Sequence, residues 1–167
     1  MESSASPKDF FDLKQPSGTN VNGDAEYNTI WGKLYTWDQA MGNSGFTGAC
    51  PNGWRVPSDA DWTELENTLN GSVCRTGDGW ECTGLGWQNH NARMDSNNLA
   101  NALKAPLSGY RYTDGASFNT RGFLTNLWSS TPNSSSAYVR FLLSGDQTVS
   151  RFANSQALGV SVRCIRD

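Results

Sequence analysis

The sequence predicts an α+β domain in which two to three short helices pack on a small antiparallel sheet stapled by disulfides. Helical patterning is confined to the part of the chain before residue 105, and short turn-punctuated apolar runs fill the part after Gly109. Four cysteines without a C-x-x-C pair are suited to bridging, so disulfides are expected over zinc or a redox motif. With 167 residues, 37% of them hydrophobic, the chain has the size of one domain, and its polarity comes from Ser, Asn, Gly and Thr.

Taken in order, residues 1–26 read as a flexible polar arm or a residual N-terminal strand, marked by Gln15-Pro16-Ser17-Gly18 and Asn22-Gly23-Asp24, and the domain proper is expected over 27–167. Thr36-Trp37-Asp38-Gln39 matches a capping box and opens a short helix that Gly42-Asn43 stops. A second helix starts at Ser58 after Pro57, sets Asp59 and Asp61 at the positive end of its dipole, and spaces Trp62, Leu65 and Leu69 along one buried stripe before Gly71. Residues 96–104 form a brief third helix ended by Pro106.

Strands are expected over 110–112, 127–131, 137–143, 149–152 and 160–165. In the third of these, Ala137, Val139 and Phe141 alternate with Tyr138 and Arg140, which predicts an inward face and an outward one. Ser144-Gly145-Asp146 supplies the following hairpin turn. Three cysteine pairings are open; the Gly-rich excursion between Cys74 and Cys82 suits a local staple, which leaves Cys50 with Cys164. An oxidising, exported location follows from either bridge.

Several function classes lose support. Thirteen Lys and Arg against 16 Asp and Glu give a net charge of -3 with no basic run, which disfavours nucleic acid as a partner. No apolar stretch approaches the ~20 residues of a membrane span, so no direct membrane insertion is expected. The single histidine, His90, has no second histidine to complete a zinc site or triad. Asp59, Asp61, Glu64 and Glu66 resemble paired glycosidase carboxylates, but on a surface helix the dipole alone accounts for them. Nucleophile-elbow and phosphate-loop patterns are absent, and the hydroxyls of Trp128-Ser129-Ser130-Thr131 are expected to satisfy backbone groups in a strand corner. Calcium is the one cofactor with candidate oxygens, in Asp78, Glu81, Asp95, Asn97 and Asn98, but these lack EF-hand spacing; no cofactor and no metal site is expected.

Four segments taken together point to a family: Gly32-Lys33-Leu34-Tyr35-Thr36-Trp37-Asp38-Gln39-Ala40-Met41, the Cys50-Pro51-Asn52-Gly53-Trp54-Arg55 run extending to Trp62, Leu127-Trp128-Ser129-Ser130-Thr131, and Ser161-Val162-Arg163-Cys164 near the end. They resemble the Fibrobacter succinogenes major paralogous domain, a bacterial extracellular module with a C-type lectin-like fold, over about residues 31–167. The resemblance supports the Cys50–Cys164 pairing, implies a secreted or cell-surface location in a Gram-negative bacterium, and makes Trp54, Trp62 and Trp128 fold determinants. The calcium-dependent sugar signatures of animal lectins are missing. The catalytic cysteines of the related formylglycine-generating enzymes find no counterpart, so the chain is not expected to be an enzyme.

The expected function is therefore a non-catalytic extracellular module that binds a protein or glycan through exposed late strands and loops. Tyr110, Arg111, Tyr112, Tyr138, Arg140, Arg151, Phe152, Asn154 and Gln156 are the candidate contacts, because Tyr and Arg combine contact area with directional hydrogen bonds. The plainer reading of Tyr110 or Phe152 is core filling. Two alternatives stand beside it. A subclass of the resembled fold carries hypervariable ligand-binding residues in diversity-generating retroelement systems, and 133–156 lies where such variation falls; the other alternative is a purely structural cell-envelope domain.

Overall fold

The computed structural model describes residues 31–70, 81–83, 105–144 and 148–167. The expected arm over 1–26, the third helix over 96–104, His90, Cys74 and the calcium candidates Asp78, Asp95, Asn97 and Asn98 lie outside the described residues, as does most of the turn at Ser144-Gly145-Asp146. The fold is α+β and mostly strand. In chain order it runs β1 (Leu34–Tyr35), α1 (Trp37–Met41), β2 (Trp54–Arg55), α2 (Asp59–Asn70), β3 (Glu81–Thr83), β4 (Tyr110–Arg111), β5 (Phe118–Asn119), β6 (Leu124–Asn133), β7 (Ser136–Leu143), β8 (Thr148–Ser155), β9 (Val160–Ser161) and β10 (Ile165–Arg166).

Both helices begin as their sequences require. The Thr36 hydroxyl accepts from the Gln39 N–H at 3.4 Å, Gln39 Oε1 accepts from the Thr36 N–H at 3.0 Å, and Gly42 ends α1 at φ 76°. Ser58 and Asp61 cap α2 reciprocally: Ser58 Oγ accepts from the Asp61 N–H at 3.1 Å, and Asp61 Oδ2 accepts from the Ser58 N–H at 2.7 Å. Trp62 and Leu65 then fall on the buried stripe.

The main sheet has the order β1-β9-β6-β7-β8-β3, with β10-β2 and β4-β5 as separate two-stranded pieces. It is antiparallel except where β9 pairs parallel to β6 at Leu127↔Ser161. The run expected as one strand over 160–165 is two: β9 joins the main sheet, and β10 turns away to pair with β2. Between them Cys164 is fully buried and bonded to Cys50, with Cα atoms 5.7 Å apart across 114 residues of sequence. That bridge explains the split, since the chain leaves the sheet to reach the segment after α1.

Register assigns the two faces of the sheet. Trp128, Val139 and Phe152 lie side by side on one face, and Leu127, Arg140 and Arg151 on the other. The first face packs against Tyr35, Ala40, Val56, Val160 and Val162 to form the main core. Three indoles are tied to backbone carbonyls: Trp128 Nε1 donates to Tyr35 O at 2.8 Å, Trp62 Nε1 to Trp128 O at 3.2 Å, and Trp37 Nε1 to Ser129 O at 2.9 Å. The register shifts between Trp128 and Pro132. There the hydroxyls serve the corner as expected: Thr131 N–H donates to Ser129 Oγ at 3.2 Å, and Asp59 N–H to Thr131 Oγ1 at 2.9 Å.

Among the described residues no helix is long and apolar enough to cross a membrane. Because the Cys50–Cys164 bridge closes a loop of more than a hundred residues, the Cys50→Ala/Cys164→Ala variant is expected to lose about 2–5 kcal/mol of folding stability. Urea unfolding of the wild type and the variant, both under oxidising conditions, checks this, and equal stabilities would overturn it.

Candidate functional site

The nine candidate contacts do not meet on one surface. Tyr138, Arg140 and Arg151 share the sheet face that α2 covers, Phe152 and Asn154 lie on the opposite face, and Gln156 follows the end of β8. Tyr110, Arg111 and Tyr112 belong to the separate β4–β5 hairpin. Gln156 is spent on the fold: its Nε2 donates to Ser136 O at 2.9 Å, and its carbonyl accepts from Trp37 N–H at 3.0 Å. Phe152 packs half-buried against the main core.

Arg140 and Arg151 correct the expectation of an outward strand face. Arg140 is 0% exposed and Arg151 8%. The Arg140 Nε donates to Glu66 Oε1 at 2.5 Å, and its Nη1 donates to Asp59 Oδ1 at 2.7 Å. Arg151 binds the same Asp59 through Nε at 2.8 Å and Nη2 at 2.8 Å, while its guanidinium carbon sits 3.7 Å from the centroid of the Tyr138 ring. The carboxylates of α2 thus form a buried ionic seat, which also corrects the reading that the helix dipole accounts for Asp59 and Glu66. Half-burial pushes the Asp59 carboxyl upward, but the hydrogen bonds and charges of Arg151 and Arg140 outweigh it and hold the group below its ordinary range. Glu66 goes the other way. Burial drives it up to about 7 against the opposing pull of Arg140, and among the described residues its Oε2 meets no hydrogen-bond partner.

The hairpin presents its residues to solvent. Tyr110 pairs with Asn119 and Arg111 with Phe118, so Tyr110, Asn119 and Tyr112 share one face. Asn119 Nδ2 donates to the Tyr112 hydroxyl at 2.7 Å, and the Tyr110 hydroxyl donates to it across a long 3.4 Å contact. The two tyrosine rings meet edge to face with centroids 5.2 Å apart. These bonds shift the two phenols apart: donating to Tyr112 raises Tyr110, and accepting from Tyr110 and Asn119 lowers Tyr112. Tyr112 is 39% exposed and Phe118 38%.

The hairpin's position is built in. Arg111 exchanges backbone hydrogen bonds with Gly159, both at 2.9 Å. Gly109, at φ 66°, lies so close to the returning strand that a Cβ there would stand 2.1 Å from Asn119 O. The turn is closed by Asp114, whose carboxylate accepts from the Ser117 hydroxyl at 2.5 Å and from the N–H groups of Ser117 and Ala116, each at 2.9 Å; these bonds hold it down to about 2. The Arg111 Nη1 donates to Gly115 O at 3.2 Å. Asn119 was not among the residues expected from sequence. Its signal was the Asp114-Gly115 pair between two short aromatic runs, a hairpin pattern in which Phe118 and Asn119 are the return strand.

A concavity of about 350 Å³ lies beside α1 and is lined by Met41, Thr47, Cys50, Trp54, Arg55 and Ser130 among others. None of the nine candidates lines it, and its guanidinium is engaged by Asp61 at 2.5 and 3.1 Å. Among the described residues no group of three or more His, Cys, Asp or Glu is arranged to hold a metal ion.

Comparison with known protein families gives a match to the Fibrobacter succinogenes major domain over residues 2–166, a longer span than the motifs near 31–167 mark out. No curated protein and no solved structure matches the chain.

The ionic seat predicts two stability effects. Arg140→Ala leaves Glu66 buried without its cation and is expected to cost about 3–5 kcal/mol. Since Glu66 titrates higher in the fold than its ordinary value of 4.5, the folded state holds the proton more tightly, and stability falls as pH rises from about 4.5 to 7. Asp59, held low, acts in the opposite sense, its contribution being lost as pH falls through its depressed value. Urea denaturation across this range should show the decline in the wild type and a flattened profile in Glu66→Gln.

Proposed function

Because the chain belongs to the Fibrobacter succinogenes major domain family, we propose that it is a non-catalytic ligand-binding module with a C-type lectin-like fold, exported to the surface or exterior of a Gram-negative bacterium, and that the β4–β5 hairpin is its contact face. The observation that carries this reading is the pairing of exposure with fixed geometry on the face of Tyr110, Tyr112 and Asn119. An exposed aromatic side chain held by its neighbours loses little further rotamer freedom on binding, which favours affinity. Tyrosine offers a broad ring and a polar tip together. The late-strand arginines do not compete for this role, since both are committed to α2.

The Cys50–Cys164 bridge supports export, because such bonds persist in oxidising compartments. The module's ligand is a protein or a glycan. The wild type is to be screened on a glycan array and against a random peptide display library. The Tyr112→Ala/Asn119→Ala variant is expected to lose at least about tenfold in retention of any hit, as for an interface hot spot. Its thermal midpoint should stay within about 2 °C of the wild type, as for a surface change. Hits retained equally by both proteins would move the contact face away from the hairpin.

A further inference from the structure

We infer that the hairpin face seats a hydroxyl-bearing neutral saccharide without a metal ion, an inference that rests on the hairpin being the contact face. The Tyr112 oxygen accepts two hydrogen bonds, from Asn119 Nδ2 and from the Tyr110 hydroxyl. Its own O–H proton is then the capacity it has left, and among the described residues no acceptor meets it. Tyr110 has given its proton to Tyr112, so its oxygen is left as an acceptor, and Asn119 Oδ1 is a second one. One donor and two acceptors therefore lie on one small face, beside an edge-to-face pair of rings. A hydroxyl both donates and accepts, and neighbouring ring hydroxyls repeat this at short spacing above an apolar C–H surface, which is the complement of this array.

The charges of the hairpin point to a neutral ligand. Asp114 receives three hydrogen bonds from its own turn, which leaves its carboxylate poorly placed to hold a cation. Arg111 Nη1 holds Gly115 O, and the charge of Arg111 is the least of the pulls that hold the Asp114 carboxyl down. The face of Tyr110, Tyr112 and Asn119 itself bears no charged side chain, so what it offers a ligand is hydroxyl and amide groups.

The test uses the full chain and immobilised neutral hexasaccharides of the β-1,4-glucan, β-1,4-xylan, β-1,4-N-acetylglucosamine and mannan types, in buffer containing EDTA, with the random peptide library run in parallel. At least one saccharide is expected to be retained. Tyr112→Phe, which removes one O–H and keeps the ring, should weaken that retention at least about tenfold with an unchanged thermal midpoint. Retention that disappears with EDTA overturns the metal-free seat, and retention unaffected by Tyr112→Phe overturns the assignment of the donor. If no saccharide binds but peptides do, and Tyr112→Ala/Asn119→Ala releases them, the saccharide inference falls while the contact face stands. If neither class binds, both fall.

Discussion

The guanidinium of Arg140, removed from water at the centre of the sheet, is the constraint to which the rest of the helical half answers. A charge so placed is tolerable only with carboxylates beside it. Both come from α2, one from its first residue, Asp59, and the other from Glu66. The helix must therefore lie over β7 and β8 in one register. Its start is held there a second time by the Asp59 N–H on Thr131 Oγ1, at the bulge of β6. Asp59 also receives Arg151, so a single side chain joins both central strands to the helix. Such a seat adds little net stability over apolar packing, but it resists any other placement of α2.

Tryptophan indoles tie the helices and β1 to the sheet. The indoles of Trp37, Trp62 and Trp128 bring large apolar area, and each spends its N–H on a backbone carbonyl. Two of those carbonyls, of Trp128 and Ser129, are consecutive in β6, so the strand's corner is gripped from α1 and α2 at once. The Cys50–Cys164 bridge closes the same core from the end of the chain, where β10 leaves the main sheet for β2. A chain with modest aliphatic content thus obtains a unique interior from aromatic rings and a crosslink.

Tyrosine and arginine, read together as contact residues, turn out to have divided roles. On β7 and β8 they stack on each other beneath α2, where Arg151 covers Tyr138. On the hairpin they face solvent, and their polar groups are ordered by neighbours in the same short element. The difference is one of cover. A helix lies over the first set, and nothing described lies over Tyr112. The charges that matter for stability sit inside the molecule, and the exposed face at the hairpin works with hydroxyl and amide groups.

Local features were legible in the sequence: both helix starts, at Thr36 with Gln39 and at Ser58, the Gly42 stop, the apolar stripe of α2, and the positions of the longer late strands. Each depends on residues a few positions apart, so one stretch of sequence contains the whole cause. Strand alternation also correctly separated Val139 from Arg140 by face. It did not say what covers each face, because the partners of Arg140 are 74 and 81 residues away in the chain. The same limit hid Asn119, whose amide has meaning only once the hairpin returns it to Tyr112. Tertiary structure decided which arginines are buried, how the last strand divides, and which tyrosines meet solvent, since burial is a property of the element packed opposite and no periodicity within a strand records it.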